Sequence, residues 1–247
     1  MNKILVILYS LIFVIIGCGG SKPILNNNAE QVYSKAMQLF EDEDYREAAS
    51  YFDIIKLQYP ASQYADDAQF YLAEINFKRD EFIMAAYNYN MLRRVYPGSP
   101  FSKECLYKNA LSFYKLSPTY DRDQEYTNKA IEAFMEFQYL YPEDSLAKEA
   151  SIQIKELRDK LAYREFFTAE LYRKMNSPRS SVIYYDAVIN NFSDTQYYED
   201  AFIGKIDALR YMKKYDQLQG VINAYNSQFP KGKALEQNKK ILQEISN

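Results

Sequence analysis

Residues 29–64 read AEQVYSKAMQLFEDEDYREAASYFDIIKLQYPASQY, and the same arrangement returns 37 residues later and then again. Ala36, Ala73 and Ala110 share one register, as do Tyr33, Phe70 and Tyr107, and Phe40, Phe77 and Tyr114. Tyr59-Pro60 returns as Tyr96-Pro97, Ser62 as Ser99, Tyr64 as Phe101, and Ala48 and Phe52 as Ala85 and Tyr89. A small residue held in register with flanking aromatics means one helical hairpin stacked on copies of itself. Each such unit buries its apolar face only against a neighbour.

Outward from this stretch the register lengthens and then resumes. Ser117 to Asp123 is an insertion that widens the Pro97–Pro142 interval to 45, yet Ala130 and Phe134 keep their places before Tyr141-Pro142. From Asp144 to about Met175 no Pro or Gly interrupts an apolar period, which predicts one helix of up to 32 residues. Two further pairs are expected from Pro178 to Phe192 and from Thr195 to Pro230, followed by an amphipathic helix from about Lys233 to Ile245. Tyr45, Ala48, Phe52 and Pro60, with Ala36 before them, sit at the spacing of the tetratricopeptide pattern. Pro60 and the residue before it stop a helix, and Ser62 and Ser99 stand where they would cap the next ones. The expected fold class is all-α: a tetratricopeptide-repeat solenoid of five helical hairpins plus a C-terminal capping helix. Its halves are expected at 29–142 and 143–247.

Composition narrows the chemistry. There is no His in 247 residues, which removes the commonest general base, the commonest zinc ligand and every His-containing triad. Two cysteines, Cys18 and Cys105, cannot form a thiolate metal cluster. Cys105 takes the place of Ala68 in the preceding repeat and is expected to be a buried small residue. Asp66-Asp67 and Glu143-Asp144 stand at expected helix starts, where the helix dipole accounts for them. No Gly-rich phosphate loop is present. With a net charge of −3 and a pI near 5.3 there is no basic field to hold nucleic acid. The expectation is a non-enzymatic protein with no metal, no nucleic-acid partner and no cofactor beyond a covalent lipid.

That lipid is suggested by the first residues. Met1-Asn2-Lys3 precedes an almost wholly apolar run, Ile4 to Ile16, too short for a comfortable span of about 20 residues. It reads as a signal peptide, residues 1–17, ending in Ile15-Ile16-Gly17-Cys18. This end resembles a bacterial lipobox, in which Cys18 would carry the lipid; a plain signal peptide with an incidental Cys, or a short uncleaved anchor, are the alternatives. Residues 18–28 read as a flexible tether. No Asp and no acidic run follow Cys18. By comparison with known lipoprotein sorting signals, this favours the periplasmic face of the outer membrane.

The candidate binding residues are the aromatic ladder Tyr33, Phe40, Phe70, Phe77, Tyr107 and Tyr114. Within each helix its two members are seven residues apart, hence on one face. One reading packs these rings between neighbouring helices; the other makes them a groove for an extended or helical client segment with aromatic residues of its own. Exposure separates the two. Counted from Ser193, the matching positions in the last pair are Ile203 and Arg210, so the ladder is not expected to continue there.

Cys18, the Tyr45…Ala48…Phe52…Tyr59-Pro60 pattern with its echoes, and Phe192-Ser193-Asp194-Thr195-Gln196…Asp200-Ala201 together resemble the BamD family. These are lipoproteins of the outer-membrane β-barrel assembly machinery. The resemblance covers nearly the whole chain after residue 17. It implies no catalysis, binding of the POTRA region of a BamA-like barrel protein through the C-terminal repeats, and receipt of unfolded outer-membrane proteins in the N-terminal repeats. Ser193 in place of Pro and the enlarged third loop depart from the pattern. The alternative is a periplasmic tetratricopeptide scaffold coordinating envelope or peptidoglycan machinery, resembling the CpoB type.

Overall fold

Among the described residues, four outside glycine adopt positive φ: Glu43 at 61°, Asp80 at 58°, Asn176 at 57° and Lys213 at 56°. Their spacing carries the 37-residue register in the backbone itself, since 43 leads to 80 and 176 leads to 213. Each follows the first helix of a hairpin, in the left-handed position that closes a helix C-terminus. The amide after each one bonds back to a carbonyl five residues earlier: Asp44 to Leu39, Glu81 to Asn76, Ser177 to Tyr172 and Lys214 to Leu209, at 2.8–3.0 Å. These bonds satisfy carbonyls that a helix end leaves open. The third hairpin uses its insertion at this point instead.

The computed structural model describes residues 28–246, and among them there are eleven α-helices and no strand. In chain order they are α1 (Ala29–Glu41), α2 (Tyr45–Gln58), α3 (Ala65–Lys78), α4 (Phe82–Val95), α5 (Ser102–Leu116) and α6 (Glu125–Leu140). There follow α7 (Ser145–Lys174), α8 (Pro178–Asn191), α9 (Tyr198–Tyr211), α10 (Tyr215–Gln228) and α11 (Leu235–Ser246). They make five hairpins and a closing helix, all-α as the spacing predicts. The expected signal peptide, Cys18 and all of the expected tether but its last residue lie outside the described residues. That last residue, Asn28, caps α1, its side chain accepting from the Gln31 amide at 2.9 Å.

The described residues fall into two compact units, one ending at Tyr64 and one beginning at Ala65. The first holds α1 and α2, with Val32, Ala36, Ala48, Phe52 and Ile55 fully buried. In the second, each helix from α3 to α11 packs on the next. One apolar core runs from Leu106 and Ala110 of α5 through Phe134 and Phe137 of α6 to Ala147 and Leu157 of α7, across the expected division at 142/143.

Helix α7 is 30 residues long, about 45 Å at 1.5 Å per residue, and it is unbroken at Tyr163-Arg164. Ala147, Ala150 and Leu157 of its first half share a core with α6, and Ala169 of its second half shares one with Tyr185 and Val188 of α8. The second half is the first helix of the fourth hairpin. Ala169 holds the small position of Ala36, 133 residues on, and is fully buried. The insertion after α5 is pinned to α7: the Lys160 ammonium donates to the Ser117 hydroxyl at 2.7 Å and the Pro118 carbonyl at 3.1 Å, and the Tyr120 ring meets Tyr163 edge-on at 4.7 Å.

The expected caps differ from those observed. Ser62 and Ser99 belong to the turns, and α3 and α5 begin three residues after them, at Ala65 and Ser102. The chain needs those residues to turn Tyr64 and Phe101 inward before the helix starts. Ser99 instead accepts from the Phe101 amide at 3.3 Å.

Candidate functional site

In the first, second and fourth hairpins one first-helix aromatic is met by a ring from the turn that follows the hairpin. Tyr33 stacks on Tyr64 with centroids 4.7 Å apart and planes 18° apart, and Phe70 stacks on Phe101 at 4.3 Å and 14°. Phe166 stacks on Tyr197 at 5.5 Å and 29°. Phe166 stands 133 residues after Tyr33, so the ladder has a fourth rung inside α7 that the count from Ser193 passed over. Counting back from the Tyr185 position to Ala169 would have found it. The second place in that rung is Arg173, a cation where the earlier hairpins have Phe40, Phe77 and Tyr114.

The six ladder residues divide by exposure. Phe70 and Tyr107 are each only 6 % exposed. Phe70 lies between Phe101 and the ammonium of Lys108, which stands 5.5 Å over its ring. Tyr107 sits against Phe134 at 5.7 Å and Phe137 at 5.3 Å, and its hydroxyl donates to Gln153 at 3.3 Å. Burial, with Glu149 nearby, pushes its pKa up to about 12. Tyr33, Phe40, Phe77 and Tyr114 are half-buried. Phe40 meets Tyr45 edge-on at 5.6 Å and Phe77 meets Phe82 at 5.2 Å. The Tyr114 hydroxyl donates to Glu156 at 2.7 Å, a bond that, with burial, raises its pKa to about 12.

Two separate polar networks brace the second and fourth hairpins. In the second hairpin the Tyr89 hydroxyl donates to Glu74 at 2.5 Å, and Lys108 donates to the same carboxylate at 2.6 Å while pairing with Glu104 at 3.1 Å. In the fourth hairpin the Tyr185 hydroxyl donates to Glu170, which Arg173 holds at 2.6 Å. Both tyrosines are fully buried, and burial together with the carboxylate pushes each phenol well above its ordinary pKa. Cys105 is fully buried beside the network of the second hairpin, and burial first, then the neighbouring carboxylates, push its thiol up to about 12. These groups pack and pair; none holds a nucleophile beside a base. Among the described residues no cluster of His, Cys, Asp and Glu could hold a metal, and no helix is long and apolar enough to cross a membrane.

This arrangement defines a helical-repeat scaffold that works by binding. Comparison with known proteins places it: residues 25–224 match the YfiO family, described as outer membrane lipoprotein, and the chain belongs to that family. It is 22% identical over 236 residues to the outer membrane protein assembly factor BamD of Rickettsia prowazekii, covering 94% of both chains. It is 23% identical to the protein of that name from Neisseria meningitidis serogroup B, over 85% of this chain and 82% of the relative. Against the one from Caulobacter vibrioides the identity is 23% over 78% of this chain and 65% of the relative. The chain is thus a non-enzymatic protein of the outer membrane.

Proposed function

We propose that this chain is a subunit of the outer-membrane β-barrel assembly machinery, held at the periplasmic face by lipid on Cys18. The observation that carries the reading is similarity to assembly factors along almost the full length of the chain, 94% on each side for the first relative. In this reading the C-terminal repeats bind the POTRA region of a BamA-like barrel protein, and the N-terminal repeats receive unfolded outer-membrane proteins. Half-buried Tyr33 and Phe40 in the first unit, and Phe77 and Tyr114 in the second, keep ring surface available for a client's aromatic residues. Phe70 and Tyr107 act beneath them as supports, since they are packed on several sides.

Conditional depletion tests the reading. As the protein disappears, folded barrel proteins should fall in the outer membrane and unfolded ones accumulate in the periplasm. Unchanged barrel-protein levels, with altered cell-wall synthesis in their place, would overturn it.

A further inference from the structure

The surroundings of Lys108 recur 96 residues later without the lysine. Phe70, Glu74 and Glu104 become Phe166, Glu170 and Asp200, and Lys108 itself becomes Gly204. In the earlier hairpins the ammonium sits between both carboxylates and over the phenyl ring. In the later ones the ring and the carboxylates remain, and a cleft of about 350 Å³ lies between α7 and α9, lined by them with Arg173 and Asp207. A side chain at 204 is excluded by packing: a Cβ there would lie 2.3 Å from the Tyr185 ring.

The charges around this cleft are incompletely balanced. Arg173 pairs with Glu170, and Lys233 pairs with Asp200. Asp207 has no Lys or Arg at ion-pair distance among the described residues, and its carboxylate meets only the Gln237 amide at 3.4 Å. It stands in the register of Glu74 and Glu170, whose carboxylates take the hydroxyls of Tyr89 and Tyr185. The fifth hairpin has Ile222 in that tyrosine's place. Asp207 is exposed to solvent, and partial desolvation by its neighbours raises its pKa against the pull of Arg210 and Arg173.

We propose that the α7–α9 cleft receives a lysine or arginine side chain from an extended segment of a partner protein, which pairs there with Asp207. The proposal rests on the reading that the C-terminal repeats dock a partner, and it names the chemistry of that contact. A polypeptide fits better than a small cation because a second cleft of about 260 Å³ adjoins the first, sharing Arg173 and Asp207 and adding Pro178, Ala208 and Tyr211. Tyr211 is 66 % exposed and Met175 64 %, an apolar footing for the residues beside the cation.

The test places the photo-crosslinker p-benzoylphenylalanine at Tyr211 of the full-length lipoprotein in cells and identifies the adduct by mass spectrometry. The expected adduct is one partner segment with a Lys or Arg within a few residues of the crosslinked position. Asp207→Asn should lower its yield by about fivefold, the size of one partly exposed charge pair, with the helical circular dichroism and melting curve unchanged. A segment without a basic residue, no adduct, or a yield indifferent to Asp207→Asn would overturn the proposal. Recovery of the barrel protein in a separate pull-down from the same cells would show that the assembly reading survives such a failure.

Discussion

The second and fourth hairpins carry the same buried tyrosine and the same carboxylate, and they part at the residue that arrives from the next hairpin. Tyr89 and Glu74 meet Lys108; Tyr185 and Glu170 meet Gly204. In the first case the network closes on itself with an internal ammonium. In the second the ring moves into the vacated space and a cleft opens beside it. A repeat protein can thus keep its packing rule and change its surface by a single position, because the buried register and the inter-hairpin residues are set by different constraints.

The shared part should fail most severely. Tyr89→Ala and Tyr185→Ala each remove a fully buried ring, and each should cost about 3–5 kcal/mol in urea unfolding. Clearly unequal losses would break the equivalence of the two hairpins. Next comes the point of divergence. Gly204→Ala should cost about 1–3 kcal/mol, because the added methyl meets the Tyr185 ring, and shortening that ring with Tyr185→Leu should recover part of the loss. Gly98→Ala is the control: nothing lies within 4 Å of the new Cβ, and the change should stay within about 0.5 kcal/mol.

The internal ammonium should matter less. Lys108→Met leaves Glu74 with Tyr89 alone, at about 1 kcal/mol after allowance for side chains 26% and 13% exposed. Burial opposes the charged lysine, but the bonds to Glu74 and Glu104 prevail, and its folded pKa is raised. Its contribution is therefore full below the unfolded value of about 10.4 and fades as pH rises through the folded one. The variant should lose that alkaline fall in stability, read from unfolding midpoints between neutral and strongly alkaline pH. The smallest effect is on reactivity: at pH 8 the buried thiol of Cys105, with its pKa near 12, should resist a thiol reagent until the protein is unfolded.

Much of this was legible in the sequence, and the misses have physical causes. The first three hairpins follow from the 37-residue spacing, because a packed small residue such as Ala36 or Ala73 tolerates no shift of register. The long helix follows from a run without Pro or Gly, whereas the pair expected from Pro178 to Phe192 is a single helix whose partner is the second half of α7. The fourth first-helix was hidden because α7 carries no Gly or Pro to mark where one repeat ends and the next begins. Phe166 and Ala169 were present in the string but had no punctuation beside them. Ser62 and Ser99 looked like caps, but the aromatic two residues later must reach the core first. Exposure in the ladder could not be read from spacing. Seven-residue separation gives a shared helix face, whereas Phe101, Phe134 and Phe137, which cover Phe70 and Tyr107, come from other elements.

The most direct measurement is a pull-down of the lipidated protein from membranes in mild detergent, with stoichiometric partners identified by mass spectrometry. A large barrel protein with periplasmic POTRA domains should be recovered, and it should be retained across several detergents. Recovery of cell-wall synthases in its place, or of no barrel protein in any detergent, would contradict the assembly role and leave only the shared architecture.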